Sequence, residues 1–214
     1  MKKLAIFDFD GTLFDSVHDV IKCFNDALTV HNFPTLAYDE YIGCLGGNID
    51  RIVSLVLGDN STHDNVEAVK KTYLDLYYSS KKELTVPFDN AHNLLLKLQD
   101  NGILLAVNSN RLTDSLEYFV DKFFFDIDFV LIEGHNLSDP SKPHPYGVQK
   151  IIKKAGVLAS EVVYIGDSKT DIQTAKNAEI DCIIVKWGYG NEKDYENDYI
   201  LGSVDGMCEI LNYF

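Results

Sequence analysis

Leu4-Ala5-Ile6-Phe7-Asp8-Phe9-Asp10-Gly11-Thr12-Leu13-Phe14-Asp15 is the stretch on which the reading of the chain turns. An apolar run that ends in two carboxylates one residue apart, followed by Gly-Thr, reads as a fully buried parallel strand whose C-terminal end carries chemistry. Strand alternation points Asp8 and Asp10 the same way. Two like charges that close are costly without compensation, so the pair asks for a metal, a proton held on one carboxyl, or both. Gly11 lets the backbone turn sharply and leaves N–H groups free to face an anion.

Beyond this stretch the pattern turns helical. Ser16 or Asp15 can cap a helix carrying Val17, Val20, Ile21, Phe24 and Leu28 at helical spacing, ended by Asn32-Phe33-Pro34. Asp39 opens a second piece, Asn48 can cap a third that Gly58 stops, and Val66, Val69, Tyr73 and Tyr77 mark a fourth. No strand interrupts them. They predict a helical unit over residues 16–83, inserted into an α/β domain of residues 1–15 and 84–214 and lying over the active end of its sheet. Pro87 marks the return. Strand and helix then alternate: strands at 103–107, 129–132, 162–165 and 182–185, helices at 91–98, 112–124, 146–155 and 172–178, and a short closing helix at 207–211. The expected fold is α/β: a doubly wound, Rossmann-like parallel sheet of five strands with an α-helical cap.

Composition narrows the class. The 214 residues are 46% hydrophobic and 24% charged, which suits a globular protein with an ample core. With 19 basic and 33 acidic residues the net charge is −14, an argument against nucleic acid or an anionic membrane as partner. Cys23, Cys44, Cys182 and Cys208 show no metal or disulfide spacing and fit free thiols in a reducing compartment. After Met1-Lys2-Lys3 the apolar run is too short for a signal-peptide core, and no run reaches membrane-spanning length. A cytoplasmic protein is expected. Tyr73, Tyr77 and Tyr78 read as packing within the helical unit, Phe123-Phe124-Phe125 as core, and none of the six histidines stands at ligand spacing.

In a doubly wound sheet ligands bind beyond the carboxyl ends of the strands, so the residues just past each strand are the ones to read. They are Asn108-Ser109-Asn110-Arg111, then Ser141-Lys142-Pro143-His144-Pro145, and Gly166-Asp167-Ser168-Lys169-Thr170-Asp171. Each has a bland alternative: Ser109 or Asp167 as a helix cap, Lys142 as a solvated loop lysine. Taken together with Asp8-Phe9-Asp10-Gly11-Thr12, and in this order, they resemble the four motifs of the haloacid dehalogenase superfamily in its phosphatase branch. Lys142 to Val157 and Val163 to Ala178 are similar to the phosphoglycolate phosphatase and β-phosphoglucomutase group, which carries a helical cap between its first two motifs. Two positions depart from that group: Glu179 where Gly is usual, and Pro87-Phe88-Asp89 where Pro-Gly-Val is usual.

The resemblance implies a chemistry. Asp8 is the nucleophile that forms an aspartyl-phosphate, and Asp10 protonates the leaving alcohol and then activates water. Mg²⁺ is the implied cofactor, held by Asp8, the Asp10 backbone carbonyl and Asp167, with Asp171 at the metal directly or through water. Lys142 and Ser109 hold the phosphoryl group, with Gly11, Thr12 and Asn110 as further phosphate-binding positions. The substrate is a small phosphorylated metabolite, and the protein a monomer or homodimer. Asp10 favours transfer to or from oxygen. A phosphosugar mutase and a non-enzymatic binding protein on the same fold are the alternatives. Specificity falls to the loop Gly43-Cys44-Leu45-Gly46-Gly47-Asn48, Gly46 above all, and to Arg51, which either meets a substrate carboxylate or second phosphate or is a solvated helix-surface arginine.

Overall fold

The computed structural model describes residues 1–45, 49–136, 138–191, 193, 195, 196 and 199–214. Six strands form one parallel sheet: β1 Leu4–Phe7, β2 Leu104–Leu112, β3 Phe129–His135, β4 Val162–Gly166, β5 Asp181–Val185 and β6 Gly202–Val204. Their order is β3-β2-β1-β4-β5-β6, and every neighbouring pair is parallel. The sheet thus has six strands rather than five. The sixth is three residues of Gly-Ser-Val, which lack the apolar run that marks the others. The closing segment Met207–Tyr213 is a 3-10 helix.

Alternation along the strands divides the core into two layers. Ala5, Phe7, Leu105, Val107, Val163 and Ile165 pack with α5 (Ala91–Asp100), α6 (Thr113–Phe123) and Met207–Tyr213. Leu4, Ile6, Ala106, Val162 and Tyr164 pack with α7 (Tyr146–Ala155) and α8 (Lys169–Asn177) on the opposite face. β1 is buried along its whole length. Of the aromatic run expected in the core, Phe124 is buried, Phe123 packs against the core from its edge, and Phe125 is 81% exposed. It stands past the end of α6, where the chain turns toward β3.

The chain divides into two compact units, residues 1–15 with 87–214 and residues 16–86. The second unit holds α1 Val17–Val30, α2 Tyr38–Cys44, α3 Ile49–Leu57 and α4 His63–Ser79. Its own core includes Phe24, Leu28, Tyr41, Val53, Val69, Tyr73 and Tyr77, with the Phe24 and Tyr73 rings stacked 3.9 Å apart. Tyr78 is exposed, unlike the other two tyrosines of α4. Thr62 caps α4, its hydroxyl accepting from the Asn65 N–H. The expected Asn48 cap of α3 lies outside the described residues. At the unit's ends, buried Asp19 accepts from the Thr85 hydroxyl at 2.7 Å and the Leu84 N–H at 3.1 Å. No helix of the described residues is long and apolar enough to cross a membrane.

Candidate active site

β1 lies between β2 and β4, where the strand order reverses direction, and the C-terminal ends of these strands form the crevice in which open α/β sheets bind ligands. Asp8 sits there, one residue past β1, with its N–H donating to the Ile165 carbonyl at 2.8 Å. Its side chain continues the Leu4, Ile6 series toward α7 and α8 and is 6% exposed. Lys142, on the loop before α7, meets it: Nζ donates to Asp8 Oδ1 and to Asp171 Oδ1 at 2.7 Å each, and to Tyr164 Oη at 3.2 Å. The Lys142 backbone is held from β2. Its N–H donates to Asn110 Oδ1 at 2.7 Å, and its carbonyl accepts from Asn110 Nδ2 at 3.1 Å. The Lys142–Pro143 peptide is cis.

Asp167 and Asp171 arrive from the start of α8. Asp171 Oδ2 accepts from the Ser168 hydroxyl at 2.7 Å and the Ser168 N–H at 3.1 Å, and Asp167 Oδ2 accepts from the Tyr189 N–H at 2.6 Å. Asp8, Asp167 and Asp171, all buried, each place one ligand oxygen so that the three lie within 4.8 Å of one another. Burial first, and then the charge of Asp171, pushes the Asp8 carboxyl up to about 7, against the pull of Lys142. Burial and then the charges of Asp171 and Asp8 hold the Asp167 carboxyl well above the usual carboxylate range. Burial acts to lower the Lys142 ammonium, but the opposing charges of Asp171 and Asp8 prevail and hold it well above its ordinary value. Three buried carboxylates against one ammonium leave negative charge in excess. An all-oxygen donor set with that deficit fits a hard divalent cation.

Residues 5–185, which contain Asp8, Asn110, Lys142, Tyr164, Asp167 and Asp171, match the family of haloacid dehalogenase-like hydrolases. The chain belongs to that family. A phosphoglycolate phosphatase of Pseudomonas syringae pv. tomato is 31% identical over 215 residues, covering 99% of this chain and 79% of that protein. One from Pasteurella multocida is 29% identical, covering 88% of this chain and 86% of its own. The crystal structure of a provisionally assigned phosphoglycolate phosphatase from Lactobacillus delbrueckii subsp. bulgaricus superposes with a TM-score of 0.92 at 28% identity, covering 100% of this chain and 98% of the other. Within the family the chain stands with the phosphatases.

This haloacid dehalogenase-like hydrolase departs in several places from what its sequence suggests. β1 ends at Phe7, so strand alternation no longer governs Asp10. The Asp10 carboxylate is engaged by Arg111 instead, whose Nε lies 3.1 Å from each of its oxygens while Nη2 pairs with Oδ1. The guanidinium in turn lies over the Phe9 and Phe119 rings, 5.1 and 5.7 Å from their centroids. Asp10 is accordingly absent from the carboxylate cluster. The Gly11 and Thr12 N–H groups do not face an open site, because they donate to the Phe14 and Phe9 carbonyls at 3.0 and 3.4 Å. Gly11 does turn the chain, at φ +81°, where a Cβ would overlap the Asp167 carboxylate.

Ser109 is buried, and its hydroxyl accepts from the Arg111 N–H at 3.2 Å. Asn110 serves the Lys142 loop, as described. Among the described residues no group partners the buried Thr12 hydroxyl. Arg51 is exposed on α3 of the helical unit, and Gly46 lies outside the described residues. Sequence reasoning missed Arg111 and Tyr164. Arg111 stood in the open as a basic residue directly after Ser109-Asn110. Tyr164 was concealed in an apolar run, although its hydroxyl donates to the Asn108 carbonyl at 2.9 Å and receives Lys142.

Proposed function

We propose that the chain is a Mg²⁺-dependent phosphatase that hydrolyses a small phosphorylated metabolite through an aspartyl-phosphate on Asp8. The observation that carries this reading is the buried Asp8 carboxylate at the switch point of the sheet, bonded to Lys142 and clustered with Asp167 and Asp171. In the first step an Asp8 carboxylate oxygen attacks phosphorus, and the bond from phosphorus to the substrate oxygen breaks. The departing oxygen takes its proton from Asp10. In the second step water attacks the phosphorus of the acyl phosphate, giving its proton to Asp10, and inorganic phosphate leaves as the Asp8 carboxylate is restored.

Arg111 donates to both Asp10 oxygens and so orients the carboxylate, whose lone pairs outnumber these bonds and can also take the proton that the two steps exchange. Lys142 neutralises charge on the transferring group, and the Ser109 and Thr12 hydroxyls donate to its oxygens. Asp8 and Asp167 would hold Mg²⁺ together with the Asp10 main-chain carbonyl, and Asp171 supports the site chiefly by fixing Lys142. When bound, the cation would supply charge neutralisation on the phosphoryl oxygens. The four free cysteines are in keeping with work in the cytoplasm.

The names of the relatives make 2-phosphoglycolate the first substrate to test. Phosphate release from a panel of phosphorylated acids, sugars and nucleotides, with and without Mg²⁺ and with Asp8→Asn protein as the blank, decides the matter. Release that needs both Mg²⁺ and Asp8 supports the reading, and release that survives in Asp8→Asn contradicts it.

A further inference from the structure

Trp187-Gly188-Tyr189-Gly190, directly beyond β5, has no part in the chemistry above, yet it touches that chemistry at several points. The Tyr189 N–H donates to Oδ2 of Asp167 at 2.6 Å. The Trp187 indole N–H donates to the Thr12 carbonyl at 3.1 Å, in the turn that follows the Asp8 motif. The Tyr189 hydroxyl reaches Asp15 Oδ1 at 2.7 Å. Both glycines are dictated by Asp167: a Cβ at Gly188 would overlap the Asp167 side chain and the Gly11 carbonyl, and one at Gly190 the Asp167 carbonyl.

We propose that residues 187–190 form a positioning loop that orients the Asp167 carboxylate for cation binding and keeps it in register with the turn after Asp8. A carboxylate with one oxygen held by a fixed main-chain donor has its plane set, and its remaining lone pairs are presented in one direction. The indole and phenol bonds anchor the donor to the Asp8 side of the site, so the two cation-binding segments keep their spacing through the loop. The glycines permit the close approach that the main-chain bond requires. Outer partners of this kind are commonly worth 10- to 100-fold in metal affinity.

The inference rests on the cation site proposed above, and the test separates the two. Mg²⁺ is titrated calorimetrically into metal-free wild type, Asp167→Asn, Gly188→Ala, Tyr189→Pro and Tyr189→Phe, each checked for folding by circular dichroism. Wild type should bind and Asp167→Asn should not; if wild type fails to bind, the cation site and the loop's role fall together. Gly188→Ala, which crowds Asp167, and Tyr189→Pro, which lacks the N–H donor, should weaken binding by about 10- to 100-fold. Tyr189→Phe keeps the main-chain donor and should retain more affinity than either. In activity assays the folded variants should need more Mg²⁺ for half-maximal rate, with kcat largely recovered at saturation. A folded Gly188→Ala or Tyr189→Pro that binds Mg²⁺ like wild type would overturn the proposal. Should one of them fail to fold, the other carries the test, with Trp187→Phe in reserve as a variant that deletes only the indole bond.

Discussion

Lys142 is what allows Asp8 and Asp171 to share a buried space. Removing such a cation would leave two uncompensated charges in a low-dielectric interior, which is why the loop that carries it is fastened by both polar atoms of the Asn110 side chain. One ammonium does not satisfy three carboxylates, and the Asp8 carboxyl is pushed up to about 7 from 3.8, by burial first and then by the charge of Asp171, against the pull of Lys142. A folded value above the unfolded one means that the metal-free native chain binds more protons than the unfolded chain between about pH 4 and pH 7, so Asp8 costs stability as pH rises through that window. Asp8→Asn abolishes this titration. The difference in Tm between Asp8→Asn and wild type, both metal-free, should therefore grow in favour of the variant from pH 5 to pH 8. A difference independent of pH would contradict the account. Cation binding should tighten over the same range, because Asp8 must be deprotonated to act as a ligand.

Among the elements, β2 shows how the sheet delivers side chains to the site. Its pairing with β3 runs from Asn108 opposite Glu133 to Leu112 opposite His135, so β2 covers more chain than its partner and bulges over Ser109-Asn110-Arg111. A bulge re-aims side chains, and here it places Asn110 on the Lys142 loop and Arg111 on Asp10. Another irregularity has an energetic reading. Glu179, between α8 and β5, is exposed and holds φ +56°, a left-handed conformation that costs an ordinary residue about 1–2 kcal/mol. Glycine, usual here in the group this chain resembles, takes it freely but gives back about 0.4–1 kcal/mol through the unfolded chain. Glu179→Gly should thus stabilise by about 0–1.6 kcal/mol, raising Tm by about 2–4 °C for each kcal/mol gained, read by differential scanning calorimetry. A lower Tm would show that the Glu179 side chain contributes more than its backbone strain costs. Continuous apolar runs made β1, β4 and β5 legible in the sequence, and Asp8 and Asp167 were legible as carboxylates stranded just past β1 and β4, with Lys142 in the proline-flanked loop before α7 and Asp171 in the first turn of α8. β6 was not, because three residues of Gly-Ser-Val owe their strand to the neighbour they pair with. The Arg111–Asp10 pair was hidden for a related reason, since it depends on where β1 stops and how β2 bulges.

At the level of the whole molecule, an acidic chain of net charge −14 reserves two of its 19 basic residues, Lys142 and Arg111, for the site. The helical unit is a compact unit with its own core, and its two ends are tied by Asp19 to Leu84 and Thr85. A buried hydrogen bond to a charged group contributes about 1.5–3 kcal/mol. Thr85→Val should therefore lower amide protection in α1 and α4 while leaving β1 and β4 as slow as in wild type, read by hydrogen exchange. Uniform loss of protection across both units would contradict this division. The central claim, covalent catalysis by Asp8, is tested most directly by acid-quenching the enzyme during turnover with Mg²⁺ and substrate and reducing it with borohydride, which converts an aspartyl-phosphate to homoserine. The account predicts homoserine at position 8 and nowhere else, dependent on substrate and absent in Asp8→Asn. Turnover without any modification at position 8, or with the modification at another carboxylate, would contradict it.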